Sequence, residues 1–247
     1  MPLIMASLSD VGRARDNNED AACQDPEAGF TIVADGMGGH AGGHVASDLA
    51  VRVVADVLRR ARPAQRDDEE AMIAALQQGV FAANDHILAQ ARQDPELFDM
   101  GTTLVVCLFL ADRVITANVG DSRIYRLADG RIEQISEDHS LVAERIRSGE
   151  LLPDSSEAKM LANIVTRAVG MEQVAVDITV EPLRPGDTYI LCSDGLSDIV
   201  KPHEIAAVIS NAGSNLQRAC IDLVDLANAR GGPDNITVSI ARYVAAS

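Results

Sequence analysis

Apolar positions along the chain follow two spacings, one typical of β-strands and the other of amphipathic α-helices. Runs rich in β-forming residues predict strands at 3–8, 30–34, 102–110, 113–118, 122–127, 131–135, 174–181, 187–193 and 236–244. Helical spacings predict helices over 44–61, over about 72–88, within 139–165, and near 202–212 and 214–230. The apolar positions predicted to face the core are Val45, Leu49, Val53, Val57 and Leu58 in the first helix and Met72, Leu76 and Phe81 in the second.

Runs of strands alternate with runs of helices, which predicts an α+β layered fold and not a parallel sheet of βαβ units. A polar stretch interrupts the pattern within residues 139–165, and we call this segment the flap. Its composition predicts a mobile surface excursion. The length of 247 residues favours one domain over residues 1–247, and the chain's end just after the last strand predicts a free-standing catalytic unit.

Composition and charge exclude several kinds of partner. A formal net charge of -16 argues against a nucleic-acid or anionic membrane surface and suits divalent cations. No stretch approaches the roughly 20 apolar residues that span a bilayer, and the start lacks a signal peptide. Four cysteines in apolar contexts predict buried thiols in a reducing compartment, and hence a cytoplasmic protein.

Acidic residues stand where predicted strands end. Two apolar strands end in Asp followed by Gly, at Asp35-Gly36 and Asp194-Gly195, and further aspartates follow or precede strands at Asp121 and Asp234. A single Asp-Gly pair is typical of a turn whatever the function. The repeated pattern, with no cluster of Cys or His, favours a site for hard cations such as Mg²⁺ or Mn²⁺.

The N-terminal segment RARDNNEDA adds Arg15, Glu19 and Asp20 to these carboxylates. Carboxylates can bridge two metal ions that lower the pKa of a shared water, and an arginine can hold a phosphate through its planar fork. The residues therefore predict metal-assisted hydrolysis of a phosphomonoester.

The motifs together resemble a known family. The segments, in chain order, are SDVGRARDNNEDA, VADGMGGHAGGHVAS, GTT, ANVGDSRIYRL, EDHSL, IVTRAVG, LCSDGLSD and GGPDNITV. Over essentially the whole chain they resemble the bacterial metal-dependent protein phosphatases of the PPM (type 2C) family. The resemblance implies a four-layer α-β-β-α sandwich, in which two facing antiparallel sheets are flanked by helices, with two Mn²⁺ or Mg²⁺ ions in the cleft between the sheets.

The implied activity is that of a protein serine/threonine phosphatase. A hydroxide bridging the two metals would hydrolyse phosphoserine or phosphothreonine without a phosphoenzyme. Asp35 would bridge both ions and the Gly36 carbonyl would bind one, while Asp194 and Asp234 would bind the other. Arg15 would hold the substrate phosphate.

Further roles follow from the same resemblance. Glu19 and Asp20 would order waters around the metals, and Asp121 with Asp194 would form a weaker third metal site. The implied partners are phosphorylated proteins, among them a Ser/Thr kinase and its substrates, and the chain is expected to be a monomer.

Two departures from the family pattern stand out. Met37 occupies the place where eukaryotic members carry a histidine that serves as general acid. His40 and His44 lie downstream, and a structural role is the commoner fate for such residues. In the flap region Asn163 and Arg167 match the pattern, whereas three positions do not: Lys159, Met160 and Ala162.

Alternative interpretations use the same residues. GMGGHA at 36–41 fits the dinucleotide-binding pattern G-x-G-x-x-G/A of an NAD-binding oxidoreductase, but Asp35 would face the pyrophosphate. Cys107 and Arg113 have the C-x₅-R spacing of cysteine-dependent phosphatases, but the apolar residues between them favour a core thiol. A zinc site at His40 and His44 is disfavoured by the glycines between them. A catalytically dead phosphatase-like binding domain is a further alternative.

Overall fold

A computed structural model describes residues 3–38, 42–65, 68–153, 155–161 and 164–244, with the side chains of 63–65 excluded. The strands are β1 (Leu3–Asp10), β2 (Asp20–Asp25), β3 (Phe30–Met37), β4 (Gly101–Thr102), β5 (Leu104–Phe109), β6 (Arg113–Val119), β7 (Arg123–Ala128), β8 (Arg131–Gln134), β9 (Asp177–Pro182), β10 (Thr188–Cys192) and β11 (Ile236–Tyr243). The helices are α1 (Gly42–Gln65), α2 (Glu69–Gln93), α3 (Leu141–Arg147), α4 (Ser156–Leu161), α5 (Asp194–Ser197), α6 (Pro202–Ala212) and α7 (Leu216–Ala229), with a 3₁₀ turn at Pro95–Leu97.

The strands form two antiparallel sheets. One has the order β1-β11-β10-β7-β8, and the other has the order β2-β3-β5-β6-β9 with β4 added beside the end of β3. The first and last strands pair over their whole length, from Leu3 opposite Tyr243 to Asp10 opposite Ile236. This pairing brings both ends of the described chain into the same sheet.

Three apolar layers separate the elements. Between the sheets lie Val33, Val105, Phe109, Tyr189 and Leu191, with the rings of Phe109 and Tyr189 packed edge to face at 5.6 Å. α1 and α2 cover the outer face of the sheet that contains β3, and α6 and α7 cover the outer face of the other sheet. The order helix, sheet, sheet, helix confirms the predicted four-layer α-β-β-α sandwich.

The buried stripe of α1 is offset by one residue from the prediction. Ala46, Ala50 and Val54 are fully buried, and Leu58 is buried as predicted. The other predicted positions, Val45, Leu49, Val53 and Val57, are only half-buried at the edge of the stripe. Small alanines at the centre of the stripe let the helix lie close to β3.

Helix α2 begins at a capped N-terminus. The Asp68 side chain accepts a hydrogen bond from the Ala71 N–H at 3.0 Å, and acidic residues occupy the first turn. Met72 and Leu76 are buried as predicted. The prediction for Phe81 was wrong: its side chain is 47% exposed because it lies on the outer face of the helix.

Other predictions needed smaller corrections. Strand β2 was not predicted, and the predicted strand 102–110 is two strands separated by Thr103. Three cysteines are buried and free, but Cys23 is only half-buried. Among the described residues, none of the helices has the length and apolar character needed to cross a membrane.

Candidate metal centre

Residues from both sheets line a cavity of about 240 Å³. β3 contributes from one sheet, and the residues after β10 and before β11 contribute from the other. All of the predicted site residues except Asp20 line this cavity: Arg15, Glu19, Asp35, Gly36, Asp121, Asp194 and Asp234.

Asp35 is held through its backbone near the end of β3. Its N–H donates to the Thr103 hydroxyl at 2.9 Å. Its carbonyl accepts from the Thr102 hydroxyl and from the Thr103 N–H, each at 2.9 Å. The Thr103 hydroxyl also lies 2.7 Å from the Ser122 hydroxyl. These bonds fix the backbone from which the Asp35 carboxylate enters the cavity.

Gly36 allows the start of α1 to approach the cavity wall. A Cβ at Gly36 would lie 2.1 Å from the Gly43 carbonyl oxygen and 2.6 Å from the Glu19 carbonyl oxygen. A side chain would therefore displace backbone. The Ser47 hydroxyl donates to the same Glu19 carbonyl at 2.5 Å, which ties α1 to the loop before β2.

Asp194 and Asp234 come together in a similar way in the other sheet. Asp194 opens the short helix α5 directly after β10, and Asp234 lies just before β11. A Cβ at Gly195 would lie 2.0 Å from the Asn235 carbonyl oxygen, so only glycine fits there. Close packing of these two backbone segments brings both carboxylates to the same cavity.

Asn235 holds the N-terminal loop that carries Arg15. Its side-chain amide donates to the carbonyls of Val11 and Asn17 at 2.9 Å and accepts from the Glu19 N–H at 2.9 Å. One buried side chain thus joins three points of the loop between β1 and β2. This role of Asn235 was not predicted, although the residue stands beside Asp234 in the segment GGPDNIT.

Arg15 contacts one of the acidic residues directly. Its guanidinium donates to Asp234 at 2.8 Å, with side-chain exposures of 53% and 33%. A pair this exposed adds little stability. The hydrogen bond to Asp234 raises the pKa of Arg15, so the guanidinium stays charged at the cavity edge.

Asp20 lies beneath the cavity and not on its surface. It is 7% exposed, stands opposite Asp35 in the β2–β3 pair, and accepts a hydrogen bond from the Ser193 hydroxyl at 2.8 Å. Its other carboxylate oxygen has no hydrogen-bond partner. Burial raises the pKa of Asp20 to about 6, although hydrogen bonds from Thr237 and Ser193 oppose that shift.

The carboxylates of the cavity repel one another. Burial and the charges of neighbouring aspartates hold the pKa of Asp35 well above its usual range. Burial and neighbouring carboxylates raise the pKa of Asp194 to about 7 and that of Asp121 to about 6. Without a compensating cation, ionising all of these carboxylates destabilises the folded protein.

The donor set fits hard divalent cations. Every acidic ligand candidate is an oxygen donor, and one carboxylate oxygen of Asp194 is buried without a hydrogen-bond partner. No three Asp, Glu, His or Cys side chains in the described ranges are gathered tightly enough to hold an ion as they stand. The carboxylates therefore line one cavity, and a bound ion would draw them closer together.

A second cavity of about 210 Å³ adjoins the first and shares Asp121 and Asp194 with it. Its walls add the carboxylates of Asp138 and Asp198 on one side and flap residues, including Lys159, on the other. The Asp138 carboxylate is already engaged by the Arg123 guanidinium through two bonds of 2.7–2.9 Å.

The residues named with the two departures from the family pattern lie in different places. Met37 lines the first cavity, whereas His44 is exposed at the start of α1. Arg167 pairs with Asp177 at 3.1 Å and is not among the residues lining the cavity. His40, Ala162 and Asn163 lie outside the described residues.

The alternative motifs do not form sites in the described structure. Gly36 packs against backbone, and β3 pairs antiparallel with β2 and β5, which does not match a parallel dinucleotide-binding unit. Cys107 is fully buried in β5, and Arg113 pairs with Glu69 at 2.9 Å on the surface. The interpretation of Cys107 as a core thiol is confirmed.

Comparisons with known proteins agree with this geometry. The family model for Protein phosphatase 2C matches residues 13–223. The chain is 38% identical to "Serine/threonine protein phosphatase PstP" of Mycobacterium tuberculosis over 97% of this chain and 45% of that protein. It is 38% identical to "Serine/threonine phosphatase stp" of Listeria innocua over 93% of this chain and 92% of that protein.

A solved structure of a relative contains metal ions. The catalytic domain of PstP, in complex with two manganese ions, superposes with a TM-score of 0.86 at 37% identity, covering 98% of this chain and 99% of that one. The chain spans about half the length of the mycobacterial protein as a whole, 45%. From the model match and these relatives, the chain belongs to the protein phosphatase 2C family.

Proposed function

We propose that the chain is a metal-dependent protein serine/threonine phosphatase. The observation that carries the proposal is the cavity in which mutually repelling aspartates from both sheets face a charged arginine. The carboxylates supply oxygen ligands for divalent cations, and the arginine supplies a donor for a phosphate. Family membership and the printed names of the relatives support the same activity.

The resemblance to the PPM (type 2C) family supports a division of these residues between two ions. Asp35 would be the ligand that both ions share, the Gly36 carbonyl would hold one ion, and Asp194 and Asp234 would hold the other. All four residues line the same cavity. When bound, the two ions would activate a water and neutralise the charge that develops on the phosphoryl oxygens.

Arg15 binds the substrate phosphate in this proposal. Only one of its terminal nitrogens is engaged by Asp234. The remaining N–H groups of the planar guanidinium can donate to two phosphate oxygens. Asn235 keeps the loop in place, so the guanidinium is positioned before the substrate arrives.

Glu19 and Asp20 orient the waters around the ions in this proposal. Glu19 lines the cavity, whereas Asp20 lies below it and is fixed by Ser193. No histidine of the described residues lines the cavity.

The proposal extends to the identity of the ions, a third ion and the substrates. Mn²⁺ or Mg²⁺ fills the two positions, and the relative with two manganese ions supports Mn²⁺. A third, weaker ion binds Asp121 and Asp194, which line both cavities. The substrates are phosphorylated proteins, among them those of a Ser/Thr kinase, and residues 1–247 act as a monomeric catalytic domain.

Hydrolysis of p-nitrophenyl phosphate and of a phosphothreonine peptide tests this proposal. We expect turnover with Mn²⁺, loss of turnover in EDTA, and loss of at least about 100-fold in kcat for Asp35→Asn, because a ligand shared by both ions is removed. Asp85→Asn, on the exposed face of α2, is the matched control and should behave like the native protein.

Three results would refute the proposal. Activity that survives EDTA, or an unchanged kcat in Asp35→Asn, would exclude the assigned metal centre. Absence of turnover with Mn²⁺, combined with retained binding of phosphopeptide, would favour the alternative of a phosphatase-like binding domain.

A further inference from the structure

His139 is buried outside the cavity lining and has no part in the mechanism proposed above. Its side chain is 2% exposed, and it belongs to the segment EDHSL that follows β8. A buried imidazole carries two polar nitrogens, each of which needs a hydrogen-bond partner. The identity of these partners indicates what the residue does.

The two ring nitrogens contact different parts of the molecule. Nδ1 accepts a hydrogen bond from the Gly120 N–H at 3.1 Å, and Nε2 lies 2.9 Å from the Asp177 carboxylate. Because Nδ1 accepts, the ring proton is on Nε2 and is donated to Asp177. Arg167 donates to the other oxygen of Asp177 at 3.1 Å and so holds that carboxylate in place.

Gly120 directly precedes Asp121, and its conformation is tightly restricted. It has φ of +101°, and a Cβ would lie 2.6 Å from the Thr103 side chain. The His139 N–H donates to the Gly120 carbonyl at 3.0 Å. His139 therefore binds both polar groups of Gly120, and the carbonyl it binds belongs to the peptide plane that leads into Asp121.

The same residue also joins the two ends of the flap. Its carbonyl accepts a hydrogen bond from the Thr166 N–H at 2.8 Å. The next residue, Ser140, forms a β-bridge with Val165, and Val165 lines the first cavity. The base of the flap and the peptide that carries Asp121 are thus attached to one buried side chain and its backbone.

We propose that His139 is a positioning residue that sets the direction of Asp121 through Gly120 and couples it to the base of the flap. This inference rests on the proposed function, because it takes Asp121 as a cation ligand. Metal binding at Asp121 then depends on Nδ1, which binds Gly120. The position of Arg167, next to Thr166 at the base of the flap, depends on Nε2 through Asp177.

Two substitutions separate the contacts of the two nitrogens. In His139→Asn the amide oxygen lies near the position of Nδ1 and keeps an acceptor for the Gly120 N–H, while the bond to Asp177 is lost. In His139→Gln the amide nitrogen reaches the position of Nε2 and keeps the donor to Asp177, while Gly120 loses its acceptor. His203→Gln, exposed on α6, is the matched control.

Isothermal titration calorimetry with Mn²⁺ alone gives the first readout. We expect His139→Gln to weaken the lowest-affinity binding event about tenfold or more, as loss of a residue supporting a ligand commonly does. His139→Asn and His203→Gln should bind Mn²⁺ like the native protein. His139→Asn should instead raise KM for a phosphothreonine peptide more than for p-nitrophenyl phosphate, with little change in kcat.

Asp121→Asn separates failure of this inference from failure of the proposed function. If Asp121→Asn leaves Mn²⁺ binding unchanged, the ligand role of Asp121 is wrong and the inference falls with it. If Asp121→Asn weakens binding and His139→Gln does not, or if both His139 variants weaken it equally, only the inference is wrong.

A second pair of variants decides the matter if His139→Gln does not give a native circular dichroism spectrum. His139→Asn and Asp177→Asn both keep an acceptor for Gly120. Native Mn²⁺ affinity in both would support the inference. Weakened affinity in either, in folded protein, would overturn it.

Discussion

Asp194 lies where burial and several neighbouring carboxylates oppose its ionisation. Burial first, and then the charges of Asp121, Asp198, Asp234 and Asp20, raise its pKa to about 7. Without a cation, the folded chain therefore holds protons near neutral pH that the unfolded chain would release. The site that a metal stabilises is a source of instability when the metal is absent.

Asp194→Asn should stabilise the metal-free protein in a pH-dependent way. The folded pKa lies above the ordinary value of 3.8, so the stabilisation from proton uptake is complete at low pH and is lost as pH rises through about 7. In EDTA at about pH 8 we expect the variant to melt several degrees above the native protein, since the rise in pKa from 3.8 to about 7 corresponds to up to about 4 kcal/mol of unfavourable ionisation. The difference should shrink towards about pH 5.

Differential scanning calorimetry across this pH range in EDTA measures the effect. Asp85→Asn removes a carboxylate from an exposed helix face and should show no pH-dependent difference from the native protein. A native protein that melts above Asp194→Asn at about pH 8 would contradict the account of charge repulsion.

Some site residues can be predicted from local sequence and others cannot. Asp35 and Asp194 are visible because an apolar strand, an Asp and a Gly stand next to one another. The role of Asn235 depends on carbonyls that lie 224 and 218 positions earlier in the chain. No local pattern specifies such contacts, because the pairing of β1 with β11 creates them.

At the level of elements, helix positions were predicted well and helix faces less well. Periodicity located α1, but the hydrophobicity of Val45 and Val53 outweighed that of the alanines that occupy the centre of the buried face. Phe81 was assigned to the core because hydrophobicity alone does not show which side of α2 meets α1. Strand β2 was missed because DAACQD is short and half-polar, and its pairing with β3 determines its conformation.

Gly36→Ala tests whether close backbone approach at the start of α1 shapes the site. The added Cβ would lie 2.1 Å from the Gly43 carbonyl oxygen, so either α1 or the segment after Asp35 must shift. We expect a loss of about 1–3 kcal/mol in the free energy of unfolding, measured in urea. We also expect loss of most Mn²⁺-dependent turnover.

Gly79→Ala, in the middle of α2, is the matched control. Its Cβ would meet Val54 at 3.4 Å, an ordinary contact, and alanine favours the helix by about 0.5–1 kcal/mol. The control should therefore be as stable as the native protein or more so. Equal stability of both variants would show that the approach at Gly36 is not restrictive.

The two sheets, each with its covering helices, form two halves of the molecule, and each half carries different proposed ligands. Asp35 belongs to the sheet covered by α1 and α2, whereas Asp194 and Asp234 flank strands of the sheet covered by α6 and α7. Between the sheets the contact is mainly apolar, with buried hydroxyl pairs such as Thr31 with Ser239 at 2.7 Å. Cations bound at the cavity would add a second link between the halves.

Mn²⁺ should therefore stabilise the sandwich as one unit. At a free concentration about 100 times Kd, binding to the folded state alone contributes about 2.7 kcal/mol, which corresponds to a rise in melting temperature of roughly 5–10 °C for a chain of this size. Asp35→Asn and Asp234→Asn change ligands on opposite sheets, yet each should remove most of this rise, because the proposed ions need ligands from both. Melting curves with Mn²⁺ and with EDTA measure it. If each variant kept about half of the rise, the two sheets would bind cations independently, and a shared centre between them would be excluded.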